Sequence, residues 1–189
     1  MPSNIQPLIS GSIYHVFNRA VGSEKLFHKE EDHFEWLKYL KKYLLPHCEL
    51  YAYCLLPNHY HLLLRLNHDT PGNYFSKAMS DAANSFCKWY NKEYKRKGSL
   101  FIRPFKRKLI EDDHQLAWTT WYIHRNPMHH GYSKDWATWK FSSFQTFFCE
   151  KPTLLVRDFI LDFFGNKEEL LKQHLLNANE TMVKLIAIE

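Results

Sequence analysis

Residues 50–66, LYAYCLLPNHYHLLLRL, decide the fold. Leu50 to Leu56 is one short apolar run and His59 to Leu66 is a second. Pro57-Asn58 between them is a turn signal, so the pair reads as a β-hairpin. Residues two apart in a strand share a face. In the second strand this puts Tyr60, Leu62, Leu64 and Leu66 on an apolar face that must meet a core. His59, His61, Leu63 and Arg65 fall on the opposite face.

The flanks of the hairpin complete a pattern. Upstream, Gly11 to Arg19 (GSIYHVFNR) mixes β-branched and aromatic residues and reads as a strand. Glu30 to Leu45 carries Phe34, Leu37, Leu40 and Leu44 at helical spacing, and Pro46 stops it. Downstream of the Pro71-Gly72 break, Tyr74 to Tyr94 reads as a helix with Phe75, Met79, Ala82, Phe86 and Tyr90 along one stripe. Phe105 to Glu111 is a fourth strand. Asp112 or Asp113 caps a further helix, expected to end near Arg125 because Pro127 disfavours helical geometry at Asn126. The order β-α-β-β-α-β-α is the split βαβ plan. The expected fold is therefore α+β, a ferredoxin-like sandwich with an antiparallel sheet, two helices on one face, the other face available, and one added helix. Past Gly131 the pattern is weaker. Trp136 to Phe148 is rich in aromatics, and Thr153 to Phe164 and Lys167 to Asn177 look helical. Residues 1–148 are expected to form one domain, and 149–189 a helical C-terminal extension packed on it.

Composition narrows the function classes. Of 189 residues, 45% are hydrophobic and 24% charged, the balance of a packed domain rather than a disordered chain. No apolar run approaches the roughly 18 residues of a membrane span. Met1 to Ser12 lacks the basic-then-apolar order of a secretory signal. Cys48, Cys54, Cys87 and Cys149 are too far apart for a C-x-x-C pair, which argues against a zinc ribbon or disulfide scaffold and for a reducing, cytoplasmic setting. The net charge of +5 is unevenly placed: Phe86 to Lys108 holds nine basic residues and one acid, Glu93. Trp89, Tyr90, Tyr94, Phe101 and Phe105 interleave with them. Cations for phosphates and rings for unstacked bases suit single-stranded nucleic acid; a solvated helix end followed by an exposed loop has the same composition.

Two imidazoles side by side on a central strand suit a divalent metal, although an H-x-H pair is equally what two half-exposed strand histidines look like. His129-His130 is an adjacent histidine pair with no strand beneath it, one of the chance pairs that twelve histidines allow. The late helix adds weight. Tyr122 and Asn126 are four residues apart and share a helix face. An amide oxygen is a hard ligand suited to Mg²⁺ or Mn²⁺, and the helix C-terminus favours a nearby cation.

The run Leu56-Pro57-Asn58-His59-Tyr60-His61-Leu62-Leu63-Leu64, followed by Tyr122-Ile123-His124-Arg125-Asn126-Pro127-Met128-His129-His130-Gly131, resembles the HUH single-strand DNA endonucleases with one catalytic tyrosine. Among these it is most similar to the REP-associated tyrosine transposases. Tyr14 to Arg19, Gly98 to Phe101 leading to Phe105 to Lys108, and Lys140 to Phe144 are similar to further family segments, so the resemblance spans about Gly11 to Phe148. It implies Tyr122 as nucleophile and His59 and His61 as metal ligands. It implies Asn126 as the third ligand, where many relatives carry Gln, Glu or His. Tyr60 stands where an aliphatic residue is common. The implied cofactor is Mg²⁺ or Mn²⁺.

The implied activity is that of a transposase-like endonuclease and strand transferase. It would nick and rejoin single-stranded stem-loop DNA through a 5′-phosphotyrosine, acting as a monomer or homodimer. Arg19, Arg96, Lys97, Arg103, Lys106, Arg107 and Lys108 are the expected DNA contacts. A phenol with an ordinary pKa of about 10 needs help to ionise; His124 and Lys106 are candidate proton acceptors. The competing readings are a domesticated, non-catalytic binder of DNA hairpins, a metal hydrolase that uses water, and a purely structural domain.

Overall fold

The computed structural model describes residues 6–176. Four strands form one sheet: β1 (Ile13–Arg19), β2 (Cys48–Leu56), β3 (His59–Leu66) and β4 (Lys106–Leu109). Their order is β2-β3-β1-β4, and every neighbouring pair is antiparallel. This is the split βαβ arrangement, with α1 (Glu30–Tyr39) and α2 (Gly72–Glu93) as its two crossover helices. The two helices pack on each other and on the apolar face of β3. Trp36 of α1 anchors that layer, its ring 5.1 Å from Tyr60, 5.3 Å from Phe86 and 5.3 Å from Phe101. Tyr60, Leu62, Leu64 and Leu66 are all fully buried, as the alternation in β3 requires.

Several boundaries differ from the sequence expectation. The first helix widens after Tyr39 into a π turn, Leu40–Leu44, whose last bond runs from Leu45 N–H back to the Leu40 carbonyl. β4 is shorter than expected because Pro104 precedes it and Asp112 already caps the next helix. That helix, α3 (Asp113–His129), does not stop at Arg125 but runs through Pro127. Proline here lies in the last turn, so it removes one late hydrogen bond from a helix that closes two residues further on. An unbroken buried stretch from Thr119 to Pro127 holds the segment helical against the local bias at Asn126. The N-terminus of α3 is capped as its sequence suggests, the Asp112 carboxylate accepting from Gln115 N–H at 2.7 Å.

The second sheet face is not left available. α3 packs over β2 and β3, and α4 (Arg157–Phe164) packs on β2. The aromatic stretch near 141 becomes a 3₁₀ turn, Phe144–Phe148, and α5 (Lys167–Leu175) packs on α3 and α4. Asn177, the expected end of the last helix, lies outside the described residues, as do residues 1–5 of the leader reading. Among the described residues no helix is long and apolar enough to cross a membrane.

Candidate active site

The antiparallel register decides what surrounds the two histidines. On β3, His59 lies opposite Arg19 of β1 and Leu56 of β2, and His61 lies opposite Phe17 and Cys54. Both side chains leave the sheet on the face covered by α3. The ring of Tyr122 stands edge-on to the His61 ring, 5.6 Å between centroids, within one chain. One turn later Asn126 brings its side-chain oxygen to 3.2 Å from His59 Nε2. Tyr122 and Asn126 therefore converge on the histidine pair, as their spacing of four on α3 requires. Tyr122, His61 and Asn126 are 2%, 1% and 0% exposed, and His59 is 8%.

The ring nitrogens are constrained by neighbours the sequence reading did not single out. His15, on β1, approaches His61 Nδ1 with its Nε2 at 2.9 Å, which turns His61 Nε2 away from β1. Asn58, in the hairpin turn, places its side-chain oxygen 2.6 Å from His59 Nδ1 and also accepts from the Tyr132 hydroxyl at 3.2 Å. A neutral imidazole carries one ring proton. With that proton on Nδ1 facing Asn58, His59 Nε2 turns a lone pair toward the Asn126 oxygen. Two facing acceptors are reconciled by a second ring proton or by a shared cation. The Asn126 amide nitrogen faces the Tyr122 carbonyl at 3.4 Å, consistent with its oxygen pointing at His59. Among the described residues no three His, Cys, Asp or Glu side chains gather as a metal cluster. Two imidazoles and one amide oxygen do make a donor set that fits a divalent cation.

His130 and His129, set aside in the sequence as a pair without a strand, both border the site. The His130 ring lies 4.5 Å from that of His59, and His129 stacks beside Tyr122 at 5.8 Å. His124 is the opposite case. It faces away from Tyr122, with Nδ1 at 2.7 Å from His174 Nε2 and Nε2 at 2.8 Å from the Ser143 hydroxyl. Burial and the neighbouring His174 hold its pKa well below the usual imidazole range. With both nitrogens engaged on the far side of α3, it does not serve as a proton acceptor for Tyr122.

The cationic residues divide into three groups. Arg19 and Lys106 line a cavity of about 280 Å³ together with His59, His130 and Asn18. Lys106 also sits over the Phe17 ring at 5.8 Å. Arg103 and Arg107 border a second cavity, between α2 and residues 99–107. Arg96 is tied into the protein, donating to Glu24 at 2.8 Å, Asn91 at 3.1 Å and the Ser99 carbonyl at 2.8 Å. Lys97 is exposed, and Lys108 pairs with His15 in the register of β4 against β1.

A split βαβ sheet thus sets an H-x-H pair on a central strand against a helix-borne tyrosine, the layout that the sequence resemblance implies. The comparisons with known proteins go further. No family model matches the chain. A curated protein of Haemophilus influenzae, named as a REP-associated tyrosine transposase, is 34% identical over 103 residues, which cover 51% of this chain and 58% of that protein. The match thus spans little more than half the length of the curated relative. A solved REP-associated tyrosine transposase bound to a REP hairpin shares the fold, with a TM-score of 0.65 over 80% of this chain and 89% of that one at 19% identity. The resemblance to REP-associated tyrosine transposases read from the motifs is borne out in both comparisons, and so is the ferredoxin-like α+β fold.

Proposed function

We propose that this chain is a metal-dependent endonuclease and strand transferase of the REP-associated transposase type, acting on single-stranded DNA beside a hairpin. The observation that carries the proposal is the convergence on one point of Tyr122 from α3, His61 and His59 from β3, and the Asn126 oxygen. The named function of the curated relative and the hairpin bound by the solved one support the same reading.

His59, His61 and Asn126 would hold a divalent cation, Mg²⁺ or Mn²⁺, which when bound supplies Lewis-acid polarisation of a phosphate oxygen. Asn58 and His15 fix the rings that do so. The Tyr122 oxygen attacks phosphorus, forming an O–P bond as the bond from phosphorus to the 3′ oxygen breaks. The phenol proton is released and the departing 3′ oxygen takes up a proton. The 5′ phosphate stays esterified to Tyr122, and a 3′-hydroxyl can reverse the step and rejoin a strand without ATP. Arg19 and Lys106 sit where the backbone flanking this phosphate would pass the His59 cavity.

Incubation with labelled single-stranded hairpin DNA and Mn²⁺ tests the proposal. A covalent protein–DNA adduct that disappears in Tyr122→Phe supports it. Tight hairpin binding with no adduct under any metal condition supports a non-catalytic binder instead, and nicking that survives Tyr122→Phe supports a hydrolase using water.

A further inference from the structure

Three side chains of α3 reach the end of α5. Trp121 donates from its ring to the Leu176 carbonyl at 3.1 Å, Arg125 donates to the His174 carbonyl at 2.8 Å, and His124 Nδ1 meets His174 Nε2 at 2.7 Å. Residues 121, 124 and 125 share a helix face, and Tyr122 lies among them in sequence on a different face. The contact does not stop at α3. His124 Nε2 accepts from the Ser143 hydroxyl at 2.8 Å, and Ser143 Oγ accepts in turn from Tyr53 N–H at 2.8 Å. Ser143 N–H donates back to the Tyr53 carbonyl at 2.9 Å. Tyr53 is on β2, one residue before Cys54, the partner of His61 across the sheet. One line of hydrogen bonds therefore runs from β2 through Ser143 and His124 to His174, and it meets α3 midway between Tyr122 and Asn126. Ser143, His124 and His174 are all fully buried.

We propose that His124 and His174 are positioning residues for the chemistry of Tyr122: their bond fixes the roll of α3 against β2 and so holds Tyr122 and Asn126 on the His59–His61 pair. The inference rests on the function proposed above and gives α5, otherwise a cover for the second sheet face, a part in it. Apolar side chains of similar shape would fill this space at little cost in stability. An apolar contact, however, lets a helix roll or slide slightly, whereas a hydrogen bond fixes both length and direction. A fully satisfied buried network of this kind specifies one arrangement of the elements it joins. Misplacing a reacting group by ~1 Å costs on the order of 10²-fold in rate, so a loosened α3 shows first in the chemical step. Neither histidine touches the DNA path or the cation site, and both act through the placement of α3.

The test compares the single-turnover rate of covalent adduct formation on labelled hairpin DNA at saturating Mn²⁺ with hairpin affinity in chelator. The proteins are wild type, the double variant His124→Leu with His174→Leu, His174→Gln, and Ser143→Ala. The double variant keeps apolar packing and removes direction. It should bind the hairpin as wild type does and form the adduct roughly tenfold to a hundredfold more slowly. His174→Gln retains a side-chain oxygen to accept from His124 Nδ1 and should recover most of the rate. Ser143→Ala cuts the same line at β2, so it too should slow the adduct without weakening binding, and it decides the matter if the double variant does not fold. Adduct formation at the wild-type rate in the double variant or in Ser143→Ala overturns the positioning role. So does a loss of rate matched by an equal loss of binding, or a His174→Gln protein as slow as the double variant. A wild-type protein that binds the hairpin and forms no adduct under any metal condition fails the function proposal instead, and the positioning role falls with it.

Discussion

Buried histidines make the stability of this fold dependent on pH, and His124, held well below the imidazole range, adds to the loss that His174 and His33 contribute. His174 on α5 and His33 on α1 are each held down to a pKa of about 4, burial being the main cause for both. The structure shows why neither accepts a proton. His174 Nδ1 donates to the Leu170 carbonyl at 2.8 Å, so its Nε2 must accept from His124 Nδ1 at 2.7 Å, and His124 Nε2 accepts in turn from the Ser143 hydroxyl. A proton on His174 would set two N–H groups face to face. His33 donates from Nδ1 to the Lys29 carbonyl, lies between the rings of Phe27 and Phe141 at 4.3 and 3.7 Å, and its Nε2 has no partner among the described residues. Asp32 and Glu30 oppose the shift of His33 without reversing it. For a histidine depressed on folding, the unfolded chain binds the proton more readily. The stability is therefore complete above the ordinary value near 6.5 and is lost as pH falls toward 4. At pH ~5 the loss is about 2 kcal/mol for each ring, or about 4 kcal/mol together, a large part of the ~5–15 kcal/mol that holds a domain. Urea unfolding at fixed ionic strength between pH ~7.5 and ~5 measures it, and His33→Leu should lessen the change by about 2 kcal/mol. A free energy that changes by less than about 1 kcal/mol across that range would refute the reasoning.

Three further outcomes follow from the packing and the site. Trp36→Ala empties the contact among Tyr60, Phe86 and Phe101 and should cost about 3–5 kcal/mol in chemical denaturation. Millimolar Mn²⁺ should raise the melting temperature of the wild-type protein and of Tyr122→Phe but not of His59→Ala, and chelator should reverse the rise. Replacing Arg103 with Gln should weaken hairpin binding and make the fall of affinity with salt shallower by about one phosphate contact, seen in a salt titration of the binding constant.

The hairpin, the two faces of β3 and the placement of Tyr122 with Asn126 were legible because each rests on a local period, two in the strand and about four in the helix. The partners of the histidines were not. His15 reaches His61 across a register joining strands 46 residues apart, and no pattern within either strand announces it. His130 meets His59 only because α3 carries past Pro127 before the chain turns. That continuation comes from burial of the helix on β2 and β3, a tertiary effect that outweighs the bias at Asn126. The covering of the second sheet face by α3 and α4 was missed for a related reason. The segment beyond Gly131 is aromatic without a clean period, so its packing partner is decided by the shape of the sheet it meets. The charge of Arg96 suggests a DNA contact but says nothing of the bonds to Glu24, Asn91 and Ser99 that position it in the fold.

The most direct test is to trap the protein on hairpin DNA with Mn²⁺, digest it, and identify by mass spectrometry the tyrosine that carries the nucleotide. The account predicts a 5′-phosphodiester on Tyr122. A nucleotide carried by any other residue, or cleaved DNA with no protein attached, would contradict it.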